Sequence, residues 1–123
     1  MSNSFEIRED TRRLIKRLTI TSNHFPKHER FGLQKELKEK MYSFYSKLME
    51  CECRYYNKTA VTELAVLLYQ ICALVNLAYD MGYLLYNGED QDVAAKRHLN
   101  LSIPLVKICK DVDEWKEKLR IKK

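Results

Sequence analysis

The chain reads as an all-α protein, an antiparallel up-down four-helix bundle in a single domain over residues 1–123. Three observations predict this. Only 3 Gly and 2 Pro occur, too few for the many turns of a β-sandwich. Helix-favouring Leu, Lys, Glu, Ala and Arg dominate the composition. Four segments repeat apolar residues at helical spacing, with polar breaks between them. A chain of this length builds one core, not two.

The first helix is predicted from Phe5 to Ser22. Ile7, Thr11, Leu14, Ile15 and Leu18 fall on one face of a 3.6-residue period. The opposite face carries Arg8, Arg12 and Lys16 one turn apart, with Arg13 and Arg17 beside them. His24-Phe25-Pro26 stops the helix, because the residue before a proline is pushed out of the α region. The second helix is expected to begin near Pro26, whose fixed φ suits a first turn. Leu37, Met41, Phe44, Leu48, Cys51 and Tyr55 then alternate spacings of four and three, the pattern of a bundle seam. Asn57-Lys58-Thr59 is a polar break leading into the third helix.

The third helix, Thr59 to Met81, differs from the others. Thr62, Glu63, Tyr69, Gln70, Asn76 and Asp80 gather on one side of its wheel, yet Val66, Ala73 and Leu77 interrupt that side. Leu64, Leu67, Leu68, Ile71, Leu74, Val75 and Ala78 fill the rest. A helix apolar nearly all round is buried on more than one side. In a bundle that extra surface implies a partner subunit, so a homo-oligomer is expected. A membrane span is not expected, because the run looks too short and holds Gln70 and Asn76 near its middle. Asn87-Gly88-Glu89-Asp90 is a clear turn. The fourth helix follows from Asp92 to Ile121, with Val93, Leu101, Leu105, Ile108, Val112, Trp115 and Leu119 as its core face. Pro104 inside it predicts a kink or a short break.

The net charge of +5 is unevenly spread. Between Thr59 and Ala95 there is no Lys or Arg, while Glu63, Asp80, Glu89, Asp90 and Asp92 contribute −5. The basic surface therefore belongs to the first, second and fourth helices. No acid follows Asp10 until Glu29, so the arginine-rich face of the first helix reads as unneutralised and suited to phosphate contacts. Lys27, His28 and Arg30, next to Lys35 and Lys38, form a second basic group, and Lys116 to Lys123 a third that reads as a frayed tail. Tyr42, Tyr45, Tyr55, Tyr56, Tyr69, Tyr79, Tyr83 and Tyr86 are expected to pack at the bundle rim more than to stack on bases.

Chemistry-bearing motifs are missing. There is no Gly-rich phosphate loop, G-x-S-x-G elbow, H-E-x-x-H helix or inward Glu-x-x-His pair. Pro26 separates His24 from His28 and spoils a helical metal pair. Cys51, Cys53, Cys72 and Cys109 contain no C-x-x-C spacing and read as buried free thiols. No enzymatic activity, metal or cofactor is expected. The first residues hold neither a basic n-region nor an apolar h-region, which points to the cytoplasm.

Two blocks stand out against this background: Phe25-Pro26-Lys27-His28-Glu29-Arg30-Phe31-Gly32-Leu33 and Tyr79-Asp80-Met81-Gly82-Tyr83-Leu84. An F-P-x-x-E-R-F/Y-G-L lead-in paired with Y-D-x-G-Y-L resembles one group of four-helix bundles. That group includes the large-subunit rRNA intervening-sequence proteins and the accessory variability determinants of diversity-generating retroelements. Lys38-Glu39-Lys40-Met41-Tyr42 and Tyr56-Asn57-Lys58-Thr59 stand where the rRNA branch carries a small-residue, arginine-containing stretch and an I-A-E-G turn. This tilts the resemblance toward the accessory-determinant branch. It implies a ring-shaped homopentamer that binds RNA or DNA through positive charge and associates with a reverse transcriptase copying a template RNA. A basic pore lining from the third helix does not carry over, since that helix has no basic residue between Thr59 and Met81. The nucleic-acid contacts expected are Arg8, Arg12, Arg13, Lys16, Arg17, Lys27, Arg30, Lys35 and Lys38. The alternatives are an rRNA-intervening-sequence-type bundle of unspecified activity and a purely structural oligomeric scaffold or toxin–antitoxin-like interaction module.

Overall fold

Apolar residues recurring every three or four positions leave each helix with one face that water disfavours, and four such faces close on one another. The computed structural model describes residues 4–53 and 58–121, with side chains over 5–53 and 58–119. Among the described residues there are four α-helices and no strand: α1 (Ser4–Ser22), α2 (Leu33–Cys53), α3 (Lys58–Asp80) and α4 (Gln91–Ile121). Each helix packs on two neighbours, α1 on α2 and α4, and α3 on the same pair. Contacts between helices set the directions. Arg8 early in α1 meets Glu52 late in α2, Lys47 late in α2 meets Glu63 early in α3, and Asn76 late in α3 meets His98 early in α4. Lys107 of α4 reaches back to Glu6 and Asp10 at the start of α1. The bundle is up-down-up-down.

Its core is the one the periodicities define. Ile7, Leu14 and Leu18 of α1, Leu37, Met41, Phe44, Leu48 and Cys51 of α2, Leu64, Leu68, Ile71 and Val75 of α3, and Leu101, Leu105, Ile108 and Val112 of α4 are each at most 5% exposed. Each fully buried aliphatic side chain contributes about 1.5–3 kcal/mol over its exposed state. Thr11 sits in the same core because its hydroxyl donates to the Ile7 carbonyl at 2.7 Å. Among the described residues no buried side-chain nitrogen or oxygen lacks a hydrogen-bond partner. Trp115 and Leu119 pack on the core only partly, and Tyr55 lies outside the described residues.

The structure departs from the sequence reading at four places. The second helix does not begin at Pro26. That proline leads into a one-turn 3-10 helix, Lys27–Glu29, and α2 starts at Leu33, where the Glu29 carboxylate accepts the Leu33 N–H at 3.0 Å. A reaching side chain caps the helix in place of a local one. Val93 is outward and Ala94 buried, because Ala94 is seven residues before Leu101 and so on its face. No break occurs at Pro104; α4 runs through it for 31 residues. Proline deprives the Asn100 carbonyl four residues earlier of its helical donor, and Arg17 of α1 donates to that oxygen at 3.1 Å. Finally, α3 is long and apolar enough to cross a membrane by length and composition, so shortness does not argue against a span. In the bundle it packs on both α2 and α4 and buries eight residues.

Connections 23–32 and 81–90 lie at one end of the bundle, where both sequence blocks fall. α3 ends with Gly82 at φ +81°. The Tyr83 N–H bonds to the Ala78 carbonyl and the Gly82 N–H to that of Tyr79, a paired closure that favours glycine at the left-handed position. Gly88 repeats the positive φ in the turn before α4, and Asp90 caps that helix through the Val93 N–H.

Candidate nucleic-acid interface

The basic face of α1 is outward over most of its length, but it is not unneutralised as the sequence suggests. Arg8 is half-buried and pairs with Glu52 at 3.4 Å. Arg12 pairs with Glu9 at 3.4 Å and Arg13 with Asp10 at 3.2 Å, each one turn back. The partners are thus Glu9 and Asp10 of the same helix and Glu52 of α2, which a search for acids between Asp10 and Glu29 misses. Arg17 is engaged with the Asn100 carbonyl. Lys16 is exposed and forms no ion pair among the described residues. Pairs this exposed are weak, about 0–1 kcal/mol. The Arg12 and Arg13 side chains remain 54% and 75% exposed, so either can trade its carboxylate for a phosphate at small cost.

The second group does not join this face into one patch. Lys27 and Arg30 are exposed in the connection after α1, Lys35 is exposed in the first turn of α2, and Lys38 is half-buried further along. Arg8 lies at the other end of α1, about 20 Å away along its axis at 1.5 Å per residue. What the structure does bring together is Arg13, Arg17 and Lys107, around a cleft between α1 and α4 floored by Leu14 and Pro104. Its charge is balanced by acids. Lys107 donates to Glu6, Asp10 and Asp111 at 2.8, 2.7 and 3.0 Å. These three carboxylates, within 4.8 Å of one another, have the spacing of a cation site, and the lysine ammonium occupies it. Three carboxylate bonds, led by Asp10, hold the Lys107 pKa well above the ordinary lysine value. The residues are 97 and 101 apart from α1 in sequence, and no local pattern marks the lysine.

The two sequence blocks meet at the end of the bundle. Tyr83 donates its hydroxyl to Glu29 at 2.7 Å, its ring packs 5.5 Å from that of Phe25, and His28 stands edge-on to it. Glu29 thereby caps α2 and anchors the α3–α4 connection at once. The Leu33 N–H and then the Tyr83 hydroxyl pull its carboxyl below the ordinary value. Gly32 belongs here for space: a Cβ would come 2.5 Å from a Glu29 carboxylate oxygen. Beside this, Arg97 grips Glu89 through two 2.9 Å bonds, donates to the Leu84 carbonyl and lies 3.7 Å over the Tyr86 ring. His24 stacks on the same ring, with the centroids 4.2 Å apart. Arg97 lowers the Glu89 carboxyl, assisted by the Tyr86 N–H, and burial raises the Tyr86 hydroxyl. The clamp joins the α1–α2 hairpin to the α3–α4 hairpin. Tyr83 and Tyr86 are therefore packed, whereas Tyr42 and Tyr69 are 52% and 61% exposed; Tyr56 lies outside the described residues.

On the outward side of α3 and α4, away from the α1–α2 hairpin, aliphatic side chains stand exposed among polar ones. Val66 and Leu77 of α3 and Leu99, Ile103 and Val106 of α4 are 46–64% exposed. Leu99, Ile103 and Val106 recur at one helical face, and Ala73 is exposed between Val66 and Leu77. The fourth helix thus widens the outward apolar face that the sequence placed on the third alone. No family model matches the chain, and neither a curated protein nor a solved structure matches it.

Proposed function

We propose that this protein is a non-enzymatic, nucleic-acid-binding accessory protein that works as a ring-forming homo-oligomer, with a pentamer favoured by the resemblance alone. By that resemblance its partner is a reverse transcriptase of a diversity-generating retroelement, and its role is to support mutagenic cDNA synthesis from a template RNA. The observation that carries the binding reading is the outward face of α1, where Arg12, Arg13 and Lys16 stand exposed with only weak or no carboxylate partners. Phosphates compete well for such groups, since each neutralised phosphate releases condensed counterions. Repetition around an oligomer adds the individually weak contacts by avidity. The aliphatic side chains exposed on α3 and α4 support the oligomer, because association would remove that apolar area from water. The bond from Arg17 to Asn100 and the pairing of Arg8 with Glu52 assign those two to the fold first.

The test is electrophoretic or fluorescence titration of RNA and DNA at several salt concentrations. Affinity should fall steeply with salt, with a slope of about −0.9 per phosphate contact on duplex DNA. Sequence preference should be low, since nothing on α1 is arranged to read base edges. Arg12→Glu combined with Lys16→Glu should weaken binding to every sequence and flatten the salt slope without loss of helicity. Unchanged affinity at equal ionic strength would make α1 a solvated face and refute the reading.

A further inference from the structure

The four cysteines do not share one environment. Cys51 is buried, and desolvation pushes its thiol up to about 11. Cys53 is exposed. Cys72 of α3 and Cys109 of α4 are both half-buried and face each other across the groove between those helices, with their sulfurs 3.9 Å apart. A disulfide needs about 2.05 Å between sulfurs, a gap that side-chain rotation on two packed helices can close. Partial exposure leaves the pair open to a small oxidant, which Cys51 is not. The two residues are 37 apart in sequence, and no C-x-x-C spacing announces them.

We propose that Cys72 and Cys109 form a reversible redox pair, closed to a disulfide across α3 and α4 by a peroxide and reopened by a thiol reductant. Either thiol can donate across this contact; the hydrogen bond holds Cys72 below its ordinary value and pushes Cys109 up. Cys72 is therefore the attacking thiolate. It displaces hydroxide from hydrogen peroxide and becomes a sulfenic acid, and the proton that Cys72 released on ionising turns the hydroxide into water. Cys109 then attacks that sulfur; its proton leaves with the hydroxyl as a second water, and the S–S bond forms. Two thiols lose two electrons in all, and one peroxide is reduced to two waters. In a reducing compartment the pair rests as thiols.

The chain offers a direct assay. Trypsin places Cys72 in peptide 59–96 and Cys109 in peptide 108–110, because no Lys or Arg interrupts residues 59–95. Folded protein treated with one equivalent of hydrogen peroxide should lose two of its four thiols and two hydrogens of mass, and the two peptides should appear joined. Dithiothreitol should restore all four thiols. Cys53→Ser, at an exposed position, should leave the cross-link intact, and Cys72→Ser should abolish it. The wild-type map decides the matter even where a variant folds poorly. Recovery of both peptides unlinked, a link through Cys53, or oxidation of Cys72 to sulfinic acid without a link would overturn the proposal.

Discussion

The outer face of α1 and the outer face of α3 and α4 are both exposed in the single chain, yet water treats them differently. On α1, five cations stand among three acids of the same helix, and exposed pairs such as Arg13–Asp10 cost little to make or exchange. That surface is stable wet. On α3 and α4, Leu77, Leu99, Ile103 and Val106 present aliphatic carbon to solvent, at about 25 cal/mol per Å² of apolar area left uncovered. Under the proposed function, one face takes a charged ligand that comes and goes and the other a lasting protein contact. Net charge and mean composition average the two together and hide both.

The comparison breaks first at the apolar face, where the largest effect is expected. The wild type should elute and scatter light as an oligomer at micromolar concentration, well above its 14.7 kDa protomer mass. Leu77→Glu with Ile103→Glu should return it to protomer mass with helical circular dichroism retained. A monomeric wild type would sink the contrast, leaving the apolar face as an unpartnered surface.

A second experiment separates charge that holds the fold from charge that is free. Arg97 has three polar contacts and a ring beneath it, whereas Arg13 has one carboxylate. Arg97→Ala should cost about 2 kcal/mol in chemical denaturation, in the range for charge-assisted hydrogen bonds, and should leave the salt slope of binding unaltered. Arg13→Ala should cost less than about 0.5 kcal/mol, as surface changes do, while weakening nucleic-acid binding. Equal stability losses would mean that the two arginines are not distinct in kind.

The smallest effect is on pH dependence. Glu29 and Glu89 have folded pKa values below their ordinary 4.5. The unfolded chain then binds more protons than the native one, so their stabilisation is present above the ordinary value and lost as pH falls through the folded values. Lys107 is the reverse case: raised above its ordinary 10.5, its contribution is present below that value and lost only as pH rises through the folded one, in strong alkali. Melting temperature should fall on acidification below about pH 5, and Glu89→Gln should flatten that fall. An acid limb unchanged in the variant would remove Glu89 from the account.

Much of the molecule was legible in the sequence because helix periodicity is a local property. Leu37, Met41, Phe44 and Leu48 are buried as their spacing requires, and Val66, Ala73 and Leu77 are outward where the wheel put them. The boundaries of three helices fall within a residue of those expected. Of the stripe Arg8, Arg12 and Lys16, the last two are exposed as read, with Arg13 beside them, while Arg8 is half-buried against Glu52. What the sequence could not supply was partnership between distant residues. The match of Arg8 to Glu52, of Lys107 to Glu6 and Asp10, and of Arg17 to the carbonyl freed by Pro104 depends on helix order and register. The same holds for the clamp. Its two blocks were visible as motifs, but that Glu29 caps α2 while accepting from Tyr83 follows only once the two hairpins stand side by side. Spacing along a chain fixes which face of a helix avoids water; only packing decides which polar groups meet, because hydrogen bonds and ion pairs reach a few ångströms and take no account of sequence distance.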